Sequence, residues 1–136
     1  MSNFNNLNLV GSHNKLNLLY SIAICRKLNL SYEDINKVIN NIKGVKYRLE
    51  CLKEKDGVLI YNDGKSTTPN SCKTAIDAFE NKIIHLILGG RNKNLDFSIL
   101  SNYKNVTFYA YGEAKNEIKE VLNCEVFDSF YHAYEA

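Results

Sequence analysis

The run Ile83-Ile84-His85-Leu86-Ile87-Leu88 followed by Gly89-Gly90 is the strongest constraint on how this chain folds. A strand that is apolar on both faces belongs in the middle of a mainly parallel sheet with helices on either side. The two glycines let the backbone turn sharply and approach a ligand closely. Strand and helix signals alternate around this run. Val106–Tyr111, closed by Gly112, reads as a second strand, and 125–127 as a short third one. Helical spacing is expected over 69–79, with Cys72, Ala75, Ile76 and Phe79 facing inward, over 96–101 and over 113–122. Pro69 suits a first helical turn. Ser129 opens a final helix. Residues 45–136 therefore read as an α/β fold with a mainly parallel, Rossmann-like sheet and flanking helices.

The earlier part reads differently. Phe4, Leu7 and Leu9 alternate loosely and suggest a short strand. From Lys15 to Leu28, the residues Leu16, Leu19, Tyr20, Ala23 and Ile24 recur at helical spacing, and Asn29-Leu30 end the helix. Ser31 followed by Glu33 and Asp34 marks the start of a second helix. That helix carries Ile35, Val38, Ile39 and Ile42 on one face, and Gly44 stops it. Two short strands, 48–53 and 58–61, are joined by the turn Glu54-Lys55-Asp56-Gly57. Residues 11–44 thus form a helical pair, the tail of a unit preceding the α/β part.

Composition excludes several classes. The 136 residues carry a formal net charge of +2, with 17 basic side chains set against 15 acidic ones. No basic stripe points to nucleic acid. No apolar run reaches the roughly 20 residues that cross a bilayer, and the first residues lack the pattern of a signal peptide. The four cysteines, Cys25, Cys51, Cys72 and Cys124, form no CxxC pair and read as reduced thiols. His13, His85 and His132 have no partners at metal-ligand spacing, so no metal site is expected.

In an open parallel sheet, ligands gather at the carboxyl ends of the strands. That rule selects the loops 62–68, 89–94 and 112–113 as one rim. In the first loop, Asp63 could hold ribose hydroxyls, Lys65 could meet phosphate or carboxylate, and the following helix offers free N–H groups to an anion. The same residues also fit a capped strand-to-helix turn in which Thr68 caps and Lys65 is solvated. Lys93, after Gly89-Gly90-Arg91-Asn92, could pair with an acidic substrate group or sit in a solvated loop. Gly64-Lys65-Ser66 lacks the preceding glycine of a phosphate loop, and no GxxxxGK[ST] sequence is present.

Four segments in order resemble the Mur ligase family. Gly-Ser-His-Asn at 11–14 resembles its G-x-H-N segment. Residues 44–50, GVKYRLE, resemble its G-L-P-H-R-x-E junction. Residues 62–68, NDGKSTT, resemble N-D-S-K-A-T-N of the D-glutamate-adding member. Residues 86–97, LILGGRNKNLDF, resemble L-L-G-G-x-x-K-x-x-D-F. Tyr47, Gly64 and Thr68 stand where that pattern has histidine, serine and asparagine. The resemblance covers about residues 9–127. It implies that 1–44 is the tail of a central ATPase domain and that 45–136 is the C-terminal, amino-acid-binding domain, cut before its last strand.

The resemblance also implies a function. This would be the C-terminal fragment of an ATP-dependent ligase adding D-glutamate to UDP-N-acetylmuramoyl-L-alanine in peptidoglycan synthesis, inactive alone. Asn14 would contact adenine, Asp63 the ribose, and Arg48 would lie near the nucleotide. Lys65, Thr67 and Lys93 would hold the carboxylates of D-glutamate. No catalytic residue is assigned within the chain. ATP and Mg2+ would serve the parent enzyme, with the magnesium ligands outside this chain. A cytoplasmic monomer that meets neither nucleic acid nor membrane is expected. The alternatives are a non-catalytic module binding a nucleotide or anionic metabolite, or another relative such as a folylpolyglutamate synthetase.

Overall fold

The computed structural model describes residues 10–42, 44–91 and 93–136. The strand expected around Phe4, Leu7 and Leu9 lies outside the described residues. The chain divides into two compact units, Met1–Lys65 and Ser66–Ala136.

In the first unit, α1 spans Ser12–Lys27 and α2 spans Tyr32–Ile39. The link between them follows from local chemistry. Asn29 adopts φ +64, and Leu30 N donates to Cys25 O while Asn29 N donates to Arg26 O. This is a Schellman ending with asparagine in the left-handed position. Ser31 then caps α2 by accepting from Asp34 N at 3.1 Å. The two helices meet through Leu18, Ile22 and Cys25 on one side and Ile35, Ile39 and Ile42 on the other.

That contact corrects two expectations. The stripe Leu16, Leu19, Tyr20 and Ile24 is at least half exposed, because α2 packs on the neighbouring side of α1. The second helix ends at Ile39 rather than near Gly44. Ile42 reaches the contact from the following turn, whereas Val38 faces solvent.

After Gly44 come β1, Glu50–Lys55, and β2, Val58–Asn62. They pair antiparallel with Lys55 opposite Val58, so the loop is only Asp56-Gly57. Both residues have positive φ, +53 and +81, which is the type I′ turn that matches the twist of a hairpin.

The second unit holds α3 (Pro69–Asp77), β3 (Ile84–Gly90), β4 (Val106–Gly112), α4 (Lys115–Val121), β5 (Cys124–Phe127) and α5 (Phe130–Glu135). The helix expected over 96–101 is a single 3₁₀ turn at Ser98–Leu100. The three strands form a parallel sheet in the order β3-β4-β5. One face packs Leu88, Phe108 and Ala110 against Ile76, Leu100, Ile118 and Leu122. Leu100, Ala110 and Ile118 are wholly buried, and each large side chain so placed contributes about 1.5–3 kcal/mol. On the opposite face, Tyr111 meets Phe130 of α5 edge to face, with ring centres 5.7 Å apart.

Strand β3 packs the face carrying Ile84, Leu86 and Leu88, whereas His85 and Gly89 on its other face are exposed. The expected central position is not met: among the described residues β3 pairs with β4 alone, and Ile83 at its start is 83% exposed.

Candidate functional site

The chemistry-bearing residues of the first unit lie at the junction into the hairpin and at the hairpin's exit. Arg48 is exposed and sits between Tyr47 at φ +64 and Leu49 at φ +45. Each left-handed non-glycine residue costs about 1–2 kcal/mol, so the surroundings must hold them. Three hydrogen bonds do so. Tyr47 N donates to Glu50 Oε2 at 2.9 Å. Leu49 N donates to Asp63 Oδ1 at 3.0 Å. Lys65 N donates to Tyr47 O at 3.1 Å. Gly64 N adds a local turn by donating to Asn62 Oδ1.

The turn holding Arg48 is thereby fastened to the segment holding Asp63 and Lys65, although the two stretches are well separated in sequence. Just before it, the Tyr61 hydroxyl is pushed up by burial and by the neighbouring Cys51 thiol. Asn14 lies in the first turn of α1, where its amide donates to Val10 O at 2.7 Å.

The loop 62–68 runs from the first unit into the second. Thr68 is the N-cap of α3, its hydroxyl accepting from Ser71 N at 3.2 Å, and Pro69 takes the first helical position. The capped-turn reading of Thr68 is thus met. Thr67 precedes the cap and is exposed.

The other two loops of the expected rim do meet. Gly89 pairs with Tyr111 and Gly90 with Gly112. Ala114 N donates to Gly90 O at 3.1 Å. The glycines are required by this close approach. A Cβ on Gly89 would lie 1.9 Å from Tyr111 O, and one on Gly112 would lie 3.0 Å from Gly90 N and O. Beyond Gly90 the backbone leads through Arg91 to Lys93, which is exposed.

Several polar groups have local structural roles. Lys73 reaches Asp77 at 2.8 Å and Tyr103 Oη at 3.1 Å, and Tyr103 Oη also donates to Asp77. Hydrogen bonds from Lys73 and Tyr103 hold the Asp77 carboxyl below its ordinary range. Lys115 pairs with Asp128 at 2.5 Å and lowers the carboxyl of Asp128. His85 Nδ1 lies 2.8 Å from Tyr109 Oη. Burial raises the Cys124 thiol. Among the described residues, no group of three or more His, Cys, Asp or Glu could hold a metal ion.

The residue that the sequence reading passed over is Glu50. It stands in the quoted junction segment but received no role. The signal was its position three residues after Tyr47, the spacing at which a carboxylate reaches back to an N–H.

No family model matches the chain, but known proteins do. Over 91 residues it is 45% identical to the UDP-N-acetylmuramoylalanine--D-glutamate ligase of Desulfitobacterium hafniense strain Y51, covering 67% of this chain and 20% of that protein. Over 118 residues it is 39% identical to the ligase of the same name from Aquifex aeolicus strain VF5, covering 85% and 28%. The chain belongs to the Mur ligase family.

Solved structures agree on the fold. The UDP-N-acetylmuramoylalanyl-D-glutamyl-2,6-diaminopimelate--D-alanyl-D-alanyl ligase from Acinetobacter baumannii matches with a TM-score of 0.73 at 24% identity, covering 92% of this chain and 30% of that one. The UDP-N-acetylmuramate-alanine ligase from Thermotoga maritima matches with a TM-score of 0.69 at 20% identity, covering 89% and 30%. The shared fold is that of Mur ligase C-terminal domains. The chain spans between a fifth and three-tenths of the length of these family members.

Proposed function

We propose that this chain is the C-terminal part of an ATP-dependent ligase that adds D-glutamate to UDP-N-acetylmuramoyl-L-alanine in peptidoglycan synthesis. The observation that carries this reading is the contrast in identity. The two sequence relatives, at 39–45% identity, are both D-glutamate ligases by name. The two solved structures, named for other acceptors, stand at 20–24%.

In this reading, ATP phosphorylates the carboxylate of UDP-N-acetylmuramoyl-L-alanine, giving an acyl phosphate and ADP. The amine of D-glutamate attacks the acyl carbon, phosphate leaves, and the amide remains. Asn14 contacts the adenine, Asp63 the ribose, and Arg48 lies beside the nucleotide. Lys65, Thr67 and Lys93 hold the two carboxylates of D-glutamate. Cationic side chains suit a dianionic amino acid, and they bind best in a site closed to water. Residues 1–44 end the ATPase domain and 45–136 belong to the amino-acid-binding domain. The chain carries no GxxxxGK[ST] sequence, and it does not turn over ATP by itself. Among the described residues no group of three or more His, Cys, Asp or Glu could hold a metal ion, and in this reading the ligands of Mg2+ lie in the rest of the parent enzyme. The parent enzyme works as a cytoplasmic monomer. Among the described residues, no helix is long and apolar enough to cross a membrane.

A chimera tests the residue roles. This chain replaces the matched segment of the Aquifex aeolicus relative, and phosphate release is followed. Lys65→Ala and Lys93→Ala are each expected to raise KM for D-glutamate about tenfold or more, the loss of one charge-assisted hydrogen bond. KM for ATP should stay within about twofold, below 0.5 kcal/mol. An unchanged KM for D-glutamate in both variants would remove these lysines from the site.

A further inference from the structure

Resting on the ligase reading, we infer that Glu50 is a positioning residue that couples the nucleotide subsite to the amino-acid subsite through the backbone of Tyr47. Tyr47 is the shared node. Its N–H donates to Glu50 Oε2 at 2.9 Å, and its carbonyl accepts from Lys65 N at 3.1 Å. Its φ of +64 is a conformation that a tyrosine rarely holds without outside support. Next along the chain, Arg48 is bracketed by a second left-handed residue, Leu49, whose N–H is taken by Asp63. The carboxylate of Glu50 therefore fixes the turn from which Arg48 projects. The same turn anchors the main chain of Lys65.

Glu50 can act this way because it opens β1, where hairpin pairing with Asn62 holds its own backbone. Its side chain reaches back three residues from a rigid element to a strained one. Removing the carboxylate leaves Tyr47 free to return to ordinary φ. That change moves Arg48 and releases the acceptor of Lys65 N together. Glu50 touches neither substrate in this account.

Two readouts test it. The first is NMR on the chain itself, without ligand. The wild type should show the strong intraresidue HN–Hα NOE of a left-handed Tyr47. Glu50→Ala should lose it while the amides of β3 and β4 keep their exchange protection. Glu50→Gln, which retains an acceptor oxygen, should keep it.

The second readout uses the chimera. Glu50→Ala should raise KM for ATP and for D-glutamate together, each about fivefold or more, with kcat changed less than either. Glu50→Gln should restore both. Arg48→Ala should raise KM for ATP alone. A Glu50→Ala chain that keeps a left-handed Tyr47, or a chimera in which only kcat falls, would overturn the inference. An inactive wild-type chimera would overturn the ligase reading and with it the coupling. The Tyr47 signal, read without ligand, would still decide whether Glu50 sets the backbone.

Discussion

At the scale of single residues, two glycines separate backbone strain from steric clash. Gly57 has φ +81 with open space where a Cβ would go, whereas Gly89 would place a Cβ inside Tyr111 O. Gly57→Ala should cost about 1–2 kcal/mol. Gly89→Ala should cost about 3 kcal/mol or more, because the β3–β4 ladder must open. Urea midpoints of the two variants check the order, and equal losses would count against the described register. Asp77 gives a pH prediction. Its folded carboxyl is depressed by Lys73 and Tyr103, so its stabilising effect is present above the ordinary aspartate range. That effect is lost as pH falls through the lower folded value. Asp77→Asn should flatten the acid-side loss of urea stability between pH 5 and pH 2, working range about that of carboxylate titration. A variant whose stability falls as steeply as the wild type would reject the assignment. Lys65, Lys93 and Asp63 could be picked out as candidates in the sequence because their loops follow strands, where ligands gather in parallel sheets. Glu50 was not, because its role depends on the positive φ of Tyr47, which no propensity for tyrosine announces.

At the scale of elements, neighbouring threonines divide stability from function. Thr68 caps α3, so Thr68→Ala should lower stability by about 1 kcal/mol. Thr67→Ala should leave the melting midpoint nearly unchanged and, in the chimera, raise KM for D-glutamate. The reverse pattern would exchange their roles. Most helices and strands of the described part were readable because caps and turn residues mark several ends, namely Ser31, Thr68, Ser129 and Asp56-Gly57, but the helix expected over 96–101 is only a 3₁₀ turn. Faces were less readable. The stripe Leu16, Leu19, Tyr20 and Ile24 has helical spacing, yet Leu18 and Ile22 make the contact with α2. Two apolar lines share that helix, and periodicity alone does not say which one a neighbour will cover. For β3, an apolar run on both faces does not show that both sides are covered, since Ile83 and His85 on one face are exposed. Nor does it show how many strands flank it.

At the scale of the molecule, the first unit carries Asn14, Arg48, Asp63 and Lys65, while the second carries Thr67 and Lys93. The parallel order β3-β4-β5 was foreseeable from strands alternating with helices, since parallel neighbours need a crossover between them. Which acceptor a family member uses is not written in that order, because members with other acceptors share the fold. Acceptor choice therefore tests the account most directly. The wild-type chimera is given ATP, UDP-N-acetylmuramoyl-L-alanine and, in turn, D-glutamate, L-alanine or D-alanyl-D-alanine, and phosphate release is measured. The account predicts release that depends on D-glutamate and not on the other two. Release driven by another acceptor, or by none, would contradict it.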